Sequence, residues 1–340
     1  MIPVHFPVAG VTVDPWLLLF IGFTAGVCGG FFGIGGAFLV TPALNILGFP
    51  MACAIGTDLA HITGKSVVSA RRHQQLGNLD VKAGMLLAVG TVPGVEAGAR
   101  AIAWLERSGE IETVVRSTYV LLLAAIGGAI LWDWWRHRRR QAGRRGAEPA
   151  PYATEGGLAH RVRSLRWKPC VSLPRSGIAA VSVWALIGIA FATGFCAGFL
   201  GVGGGFIRMP AMLYLIGMPT RVAVGTDLLE VLLSGAYGTF TYALRGRVDL
   251  LAALVMLVGG AVGSHIGAIA TDYVVGYRIR LYFALTALAS AVAVALKQWG
   301  AGQAATVLLL SAGSAVTLAI ILGLGAGLAR ERRRLPDAAA

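Results

Sequence analysis

Apolar stretches long enough to cross a bilayer follow one another along most of the chain, separated by short polar turns. This alternation predicts spans at 15–31, 51–71, 80–104 and 113–135, then at 177–200, 220–243, 249–272 and 278–297, with a last one at 303–329. Two further spans, 36–48 and 205–217, are short, and with them residues 1–135 and 177–297 have five crossings each. Each short span follows a glycine-rich break: "GGFFGIGGAFLVTP" at 29–42 and "GVGGGFIRMP" at 201–210. Glycine costs about 1 kcal/mol relative to alanine inside a helix, so a helix is expected to stop at each break and a short one to start after it. The predicted fold class is an all-α integral membrane protein with broken helices.

The two breaks belong to a duplication. "GVCGGFFGIGGAFLVTPAL" (26–44) aligns with "GFCAGFLGVGGGFIRMPAM" (194–212), "PMACAIGTDL" (50–59) with "PTRVAVGTDL" (219–228), and "GNLDVKAGMLLAVGTVPGVEAG" (77–98) with "GRVDLLAALVMLVGGAVGSHIG" (246–267). Shared low-complexity membrane sequence would not keep Pro, Gly-Thr-Asp and Asp in register. Residues 1–135 form a first repeat of five segments and 177–297 a second. Residues 298–340 add an extra span and a basic tail, and 136–176 join the repeats.

Composition agrees: 56% of residues are hydrophobic and 13% charged, against roughly 25% charged in soluble domains. The formal net charge of +13 is concentrated in 136–175 and 330–334, between and after apolar segments. That placement suits cytoplasmic loops and speaks against nucleic acid as a partner. The N-terminus carries almost no positive charge and lacks a signal-peptide n-region. Counting crossings from an inner linker puts the N-terminus outside and the C-terminus inside a cell membrane, with "RGR" at 245–247 the one dissenting loop. An odd number of segments per repeat makes the repeats inverted, a plan that places transporter sites near the midplane.

Ionisable groups inside apolar spans are costly and usually functional. Asp58, His61 and Lys65 share one helix face at spacings of three and four. Glu96 lies in the next span. The second repeat has Asp227 and Glu230 on the matching helix, His265 at the position of Glu96, and Arg208 just after the break. Each has a plainer reading: Asp58 and Asp227 as helix caps, Arg208 snorkelling to an interface, His61 and His265 as hydrogen-bonded core residues. Asp58 or Glu230 could neutralise Lys65. Eight such groups at corresponding places favour a polar pathway, with Asp58, His61, Glu96, Asp227, Glu230 and His265 as candidates for coupling and charge balance.

A helix that starts within the membrane leaves backbone N–H groups free at its N-terminus, and these favour an anion. Glycine would let the anion approach. Gly35, Gly36, Gly203 and Gly204, with Lys65, Arg208, Thr57 and Thr226, are the candidate substrate contacts. The alternative is that the glycines, like those of "GVEAG" and "GSHIG", serve close helix packing. "GVGGGF" lacks the Lys-Ser/Thr of a nucleotide phosphate loop. No catalytic triad, metal-ligand cluster or cofactor motif is visible, so neither an enzyme, a metal nor a cofactor is expected.

On "GGFFGIGGAFLVTP", "GVGGGFIRMP", the two "GTD" triplets and the aspartates that open the helices after "GNLD" and "GRVD", the chain resembles the TauE/SafE family of sulfite exporters and permeases for sulfur-containing anions. The resemblance implies a multi-pass secondary transporter in the cell membrane, expected to be proton-coupled, that moves a small anionic substrate such as sulfite, a sulfonate or sulfoacetate. It fixes neither the direction of flux nor the oligomeric state. A competing reading is a transmembrane thiol-disulfide electron carrier using Cys28 and Cys196, which occupy matching positions before the breaks. Cys is equally suited to close packing.

Overall fold

The structure is a computed structural model that describes residues 3–33, 36–142, 167–274 and 276–334. Eleven α-helices occur among the described residues: α1 Pro15–Phe32, α2 Ala37–Ile46, α3 Met51–Gln75, α4 Val81–Ser108, α5 Ile111–Ala142, α6 Val183–Leu200, α7 Gly205–Ala211, α8 Thr220–Ala243, α9 Leu250–Tyr273, α10 Gly276–Gln298 and α11 Gly302–Arg334. Seven of them (α1, α4, α5, α6, α9, α10 and α11) are long and apolar enough to cross a membrane. α3 and α8, at 25 and 24 residues, match them in length but carry the charges that interrupt their hydropathy.

Helices run further than the apolar stretches predicted: α3 to Gln75, α4 to Ser108, α5 to Ala142, α11 to Arg334. A helix satisfies its own backbone, so it continues into polar sequence until a cap or turn ends it. One boundary differs in kind. Residues 177–182, expected as the start of a span, form strand β4 (Ile178–Ser182), paired antiparallel with β3 (Cys170–Leu173). Ile178 and Val181 turn inward while Ala179 and Ala180 face out, and α6 begins only at Val183. A second ribbon, β1 (Val4–Phe6) with β2 (Val11–Val13), precedes α1. Most of the basic linker, 143–166, lies outside the described residues.

The ribbons mark opposite ends of the bundle. β1–β2 sits against the α2–α3 turn through Phe6 and Phe49. β3–β4 sits against the α3–α4 turn, where the Lys82 ammonium donates to the Ser172 carbonyl and Arg175 to the Leu79 carbonyl. We refer to these as the far face and the linker face. α1 enters from the far face and ends at Gly33; α2 turns back toward the far face. α6 and α7 make the same excursion from the linker face.

Packing between the two halves is reciprocal. α1 packs chiefly on α9, α4 on α6, α3 on α8 and α5 on α10. The α1–α9 and α4–α6 seams are so close that a Cβ on Gly26 would overlap the backbone of Gly260, and one on Gly94 the backbone of Phe191. Asp80 and Asp249 cap α4 and α9 by accepting from the N–H groups of Ala83 and Ala252. Their second carboxylate oxygens hold the ribbon regions: Asp80 accepts from Ser176 Oγ at 2.7 Å, and Asp249 from the N–H groups of Val8 and Ala9. The N–H of each aspartate in turn donates to a threonine of the other half, Asp80 to Thr226 at 3.0 Å and Asp249 to Thr57 at 2.9 Å.

Candidate functional site

α3 and α8 begin directly after Pro50 and Pro219, whose fixed φ suits a helix start. They cross antiparallel at the centre of the bundle, where Gly235 of α8 meets Thr63 and Ile62 of α3. Both aspartates of the "GTD" triplets lie in helix interior, so neither is a cap.

On α3, Asp58, His61 and Lys65 are buried on one face, the last with only 1% of its surface exposed. Asp58 accepts from Thr41 Oγ1 of α2 at 2.8 Å and pairs with His61 Nδ1 at 3.4 Å. Tyr119 of α5 closes the cluster: it lies against Thr41 within electrostatic range of Asp58, and its hydroxyl donates to the Leu200 carbonyl at 2.5 Å. Lys65 stands on the same face, within range of Asp58 and of the Cys28 thiol. Its ammonium has no hydrogen-bond partner among the described residues, and neither has His61 Nε2.

On α8 the charges face one another, while both carboxylates keep oxygens without a hydrogen-bond partner among the described residues. Arg208 of α7 is fully buried and not at an interface, which excludes snorkelling. Its Nε lies 3.3 Å from Asp227 Oδ1, an ion pair without hydrogen-bond alignment. Its Nη1 is paired with Glu230 Oε2, and its Nη2 donates to the Gly203 carbonyl at 2.6 Å. Ser234 Oγ donates to the same carbonyl at 3.2 Å. Glu230 therefore neutralises Arg208, not Lys65.

Several sequence candidates lie elsewhere. Thr57 and Thr226 are the reciprocal clamps between the halves, each using its hydroxyl on an aspartate N–H. Glu96 is partly exposed and bonded to Arg100 at 2.7 Å and Tyr237 at 3.3 Å, and His265 is exposed. α4 and α9 turn these faces outward, because their small residues occupy the seams. Gly36 and Gly204 have positive φ, 69° and 74°, which side chains rarely adopt. A Cβ on Gly36 would overlap the Ala25 carbonyl, and one on Gly204 the Arg208 guanidinium. Gly203 is packed between Ile62 and Val231. The space a side chain would take is filled by protein, which gives these three glycines a role in close packing; Gly35 lies outside the described residues.

Residues the sequence reading passed over complete the site. Thr41 and Tyr119 are brought in by α2 and α5, and only tertiary packing could show them. Ser69 and His73 continue the Lys65 face at further spacings of four, a signal present in the sequence. The thiols are all free: Cys28 is buried with its sulfur 4.0 Å from Thr317 Oγ1, whereas Cys196 is partly exposed. Such unlike surroundings do not favour a dithiol carrier.

A protein-family model described as sulfite exporter TauE/SafE matches residues 18–294. A probable membrane transporter protein of Xylella fastidiosa is 26% identical over 283 residues, covering 82% of this chain and 92% of the relative. The probable membrane transporter proteins YunE and YjnA of Bacillus subtilis are 26% and 27% identical, each covering 74% of this chain and 86% and 88% of their own lengths. No solved structure matches the chain. The match across both halves, on a bundle of membrane-length helices with buried charges at its centre, makes the chain a multi-pass membrane transporter that belongs to the sulfite exporter TauE/SafE family.

Proposed function

We propose that the chain is a secondary transporter that moves a small sulfur-containing anion (sulfite, a sulfonate or sulfoacetate) across the cell membrane, with Lys65 as the cation that receives it. The observation that carries this reading is the Lys65 ammonium, buried and without a hydrogen-bond partner. A buried charge needs a partner to offset its lost hydration. Asp58 is near but already accepts from Thr41 and His61. An oxyanion would supply what Lys65 lacks, and three donors on an ammonium suit a tetrahedral or pyramidal set of oxygens.

Arg208, which sequence position made an equal candidate, is occupied by Asp227, Glu230 and Gly203. Its part in this reading is to hold the α7 break against α8. The two halves are then inverted repeats with unlike centres, one binding and one ion-paired. Proton coupling would use the Asp58–His61 pair, which shares the Lys65 face and can exchange a proton as the anion arrives or leaves. From the far face, Thr41, Asn45, Arg116, Tyr119 and Lys297 line a small pocket, which Thr41 joins to Asp58; Arg116 there is already paired with Glu112, so Lys297 is the cation left to attract an anion. The N-terminal ribbon is read as outside, and the linker and C-terminus as cytoplasmic.

Purified protein in liposomes tests this directly. Uptake and efflux of sulfite, thiosulfate, sulfonates, sulfate and carboxylates are measured with and without a pH gradient. The reading requires that a sulfur oxyanion be carried faster than carboxylates and that the gradient drive it. Flux of none of the sulfur anions, in protein that is folded and inserted, would refute it.

A further inference from the structure

Below Lys65 the same face of α3 continues to the linker face as Ser69 and His73. His61, Lys65, Ser69 and His73 are spaced by four, about 18 Å of helix at ~1.5 Å per residue. All four are at least 99% buried. Each carries a side-chain polar atom with no hydrogen-bond partner among the described residues: His61 Nε2, Lys65 Nζ, Ser69 Oγ and His73 Nδ1. Ser66 Oγ beside them is in the same condition. Buried polar atoms are nearly always paired, so an unbroken row of unpaired ones is exceptional. It also has a direction. It ends at His73, whose Nε2 donates to the Gly30 carbonyl at 3.3 Å, which leaves Nδ1 a free acceptor. Arg72 stands within electrostatic range of His73, with Asp272 there held by Arg221. The next residue, Gln74, lines a cleft with Leu79, Asp80, Lys82 and Arg175 that opens at the linker face.

The other half supplies the comparison. The residues of α8 that match His61, Lys65, Ser69 and His73 are Glu230, Ser234, Gly238 and Tyr242. Glu230 forms an ion pair with Arg208, though neither of its oxygens has a hydrogen-bond partner among the described residues, and Ser234 donates to the Gly203 carbonyl. Gly238 carries no polar atom and lies against Leu59. Tyr242 donates to the Gly198 carbonyl at 2.7 Å, the counterpart of the His73–Gly30 contact, with no atom left over. From Lys65 to His73 the α3 face is a row of unsatisfied donors and acceptors; the matching stretch of α8, from Ser234 to Tyr242, leaves none, and the unbonded oxygens of that half lie above it, on Asp227 and Glu230 beside Arg208.

We propose that the Lys65–Ser69–His73 face of α3 is the hydrated passage between the anion site and the linker face, and that Tyr242 seals the corresponding route in the second half. This rests on the reading of Lys65 as the anion site. The partners left for the unpaired atoms are water and the permeating anion. Ser69 hands the anion along as a neutral donor, and the Arg72 side of the mouth draws it in. The asymmetry makes the inward and outward routes chemically unlike, although the two halves share one plan.

Thiol accessibility tests the passage without knowledge of the substrate. Cys28, Cys53, Cys170 and Cys196 are replaced by Ser, and Ser69→Cys, Ser66→Cys and Ser234→Cys are each introduced, with Gln74→Cys as an exposed control. Proteoliposomes of both orientations are treated with the membrane-impermeant anionic reagent sulfonatoethyl methanethiosulfonate. Ser69→Cys is expected to react from the linker face at least about tenfold faster than Ser234→Cys, because access controls thiol reactivity. Ser66→Cys gives the same readout if Ser69→Cys does not assemble. Reaction of neither from the linker face, while Gln74→Cys reacts, overturns the passage, as does reaction no faster than Ser234→Cys. Sulfoacetate, inert to the reagent, is added as protectant. Labelling that neither sulfoacetate nor any sulfonate slows, in protein that carries no sulfur anion, leaves the passage standing and refutes the substrate reading instead.

Discussion

Lys65→Met keeps the length and bulk of the side chain and removes only its charge. Because the Lys65 ammonium has no hydrogen-bond partner, the substitution breaks no bond in the unliganded protein. Asp58 keeps its contacts to Thr41 and His61. The substitution removes a poorly compensated buried charge but also takes a cation from the field of buried Asp58, so at most a small fall in melting temperature in detergent is expected, well below that at Arg208. Anion binding should suffer instead. A hydrogen bond to a charged group is worth about 1.5–3 kcal/mol, and at ~1.4 kcal/mol per factor of ten the Kd should rise ~10–150-fold. Titration calorimetry with the anions that the liposome panel identifies reads this, with Lys65→Arg as the variant that keeps the charge. A Kd unchanged within threefold or so, about 0.7 kcal/mol, would remove Lys65 from the site. So would a large fall in melting temperature, since it would show that the ammonium is paired in the resting protein.

The opposite signature is expected at Arg208. Arg208→Met strands Asp227 and Glu230 in the core, a loss of about 3–5 kcal/mol; thermal melting should show it, and added Asp227→Asn and Glu230→Gln should restore much of it. No destabilisation would mean that the cluster is already neutral. Thr57→Val and Thr226→Val each leave a buried aspartate N–H unpaired between the halves, at a cost of about 1–3 kcal/mol each. Transport per folded molecule should be unchanged, and a Kd that rose instead would return both threonines to the substrate. Gly36→Leu forces a side chain into the Ala25 carbonyl at positive φ. Size-exclusion profiles should show loss of assembled protein, and a folded variant with weakened anion binding would favour the glycine cradle instead.

The chain's periodicity and duplication settled most of the architecture. Apolar length alone marked the spans, because a bilayer admits only segments that satisfy their own backbone. The glycine breaks were visible because no other residue takes positive φ cheaply, and the Asp58–His61–Lys65 face because helical spacing of three and four needs no tertiary information. The same spacing, carried on by four, already contained Ser69 and His73. The ribbons were not legible: a three-residue strand has too few alternating positions to register, and β4 was hidden in an apolar run that a helix could equally have used.

What only the tertiary structure decided is which charges are matched. Lys65 and Arg208 look alike in sequence, each a lone cation within an apolar segment. Packing gave Arg208 two carboxylates and a carbonyl and gave Lys65 none within hydrogen-bonding distance. Packing likewise turned Thr57 and Thr226 from site residues into clamps, because their partners lie 192 and 146 residues away along the chain. Local sequence fixes where a side chain sits on its helix; the charge or bond that answers it comes from another helix, and no spacing rule reaches that far.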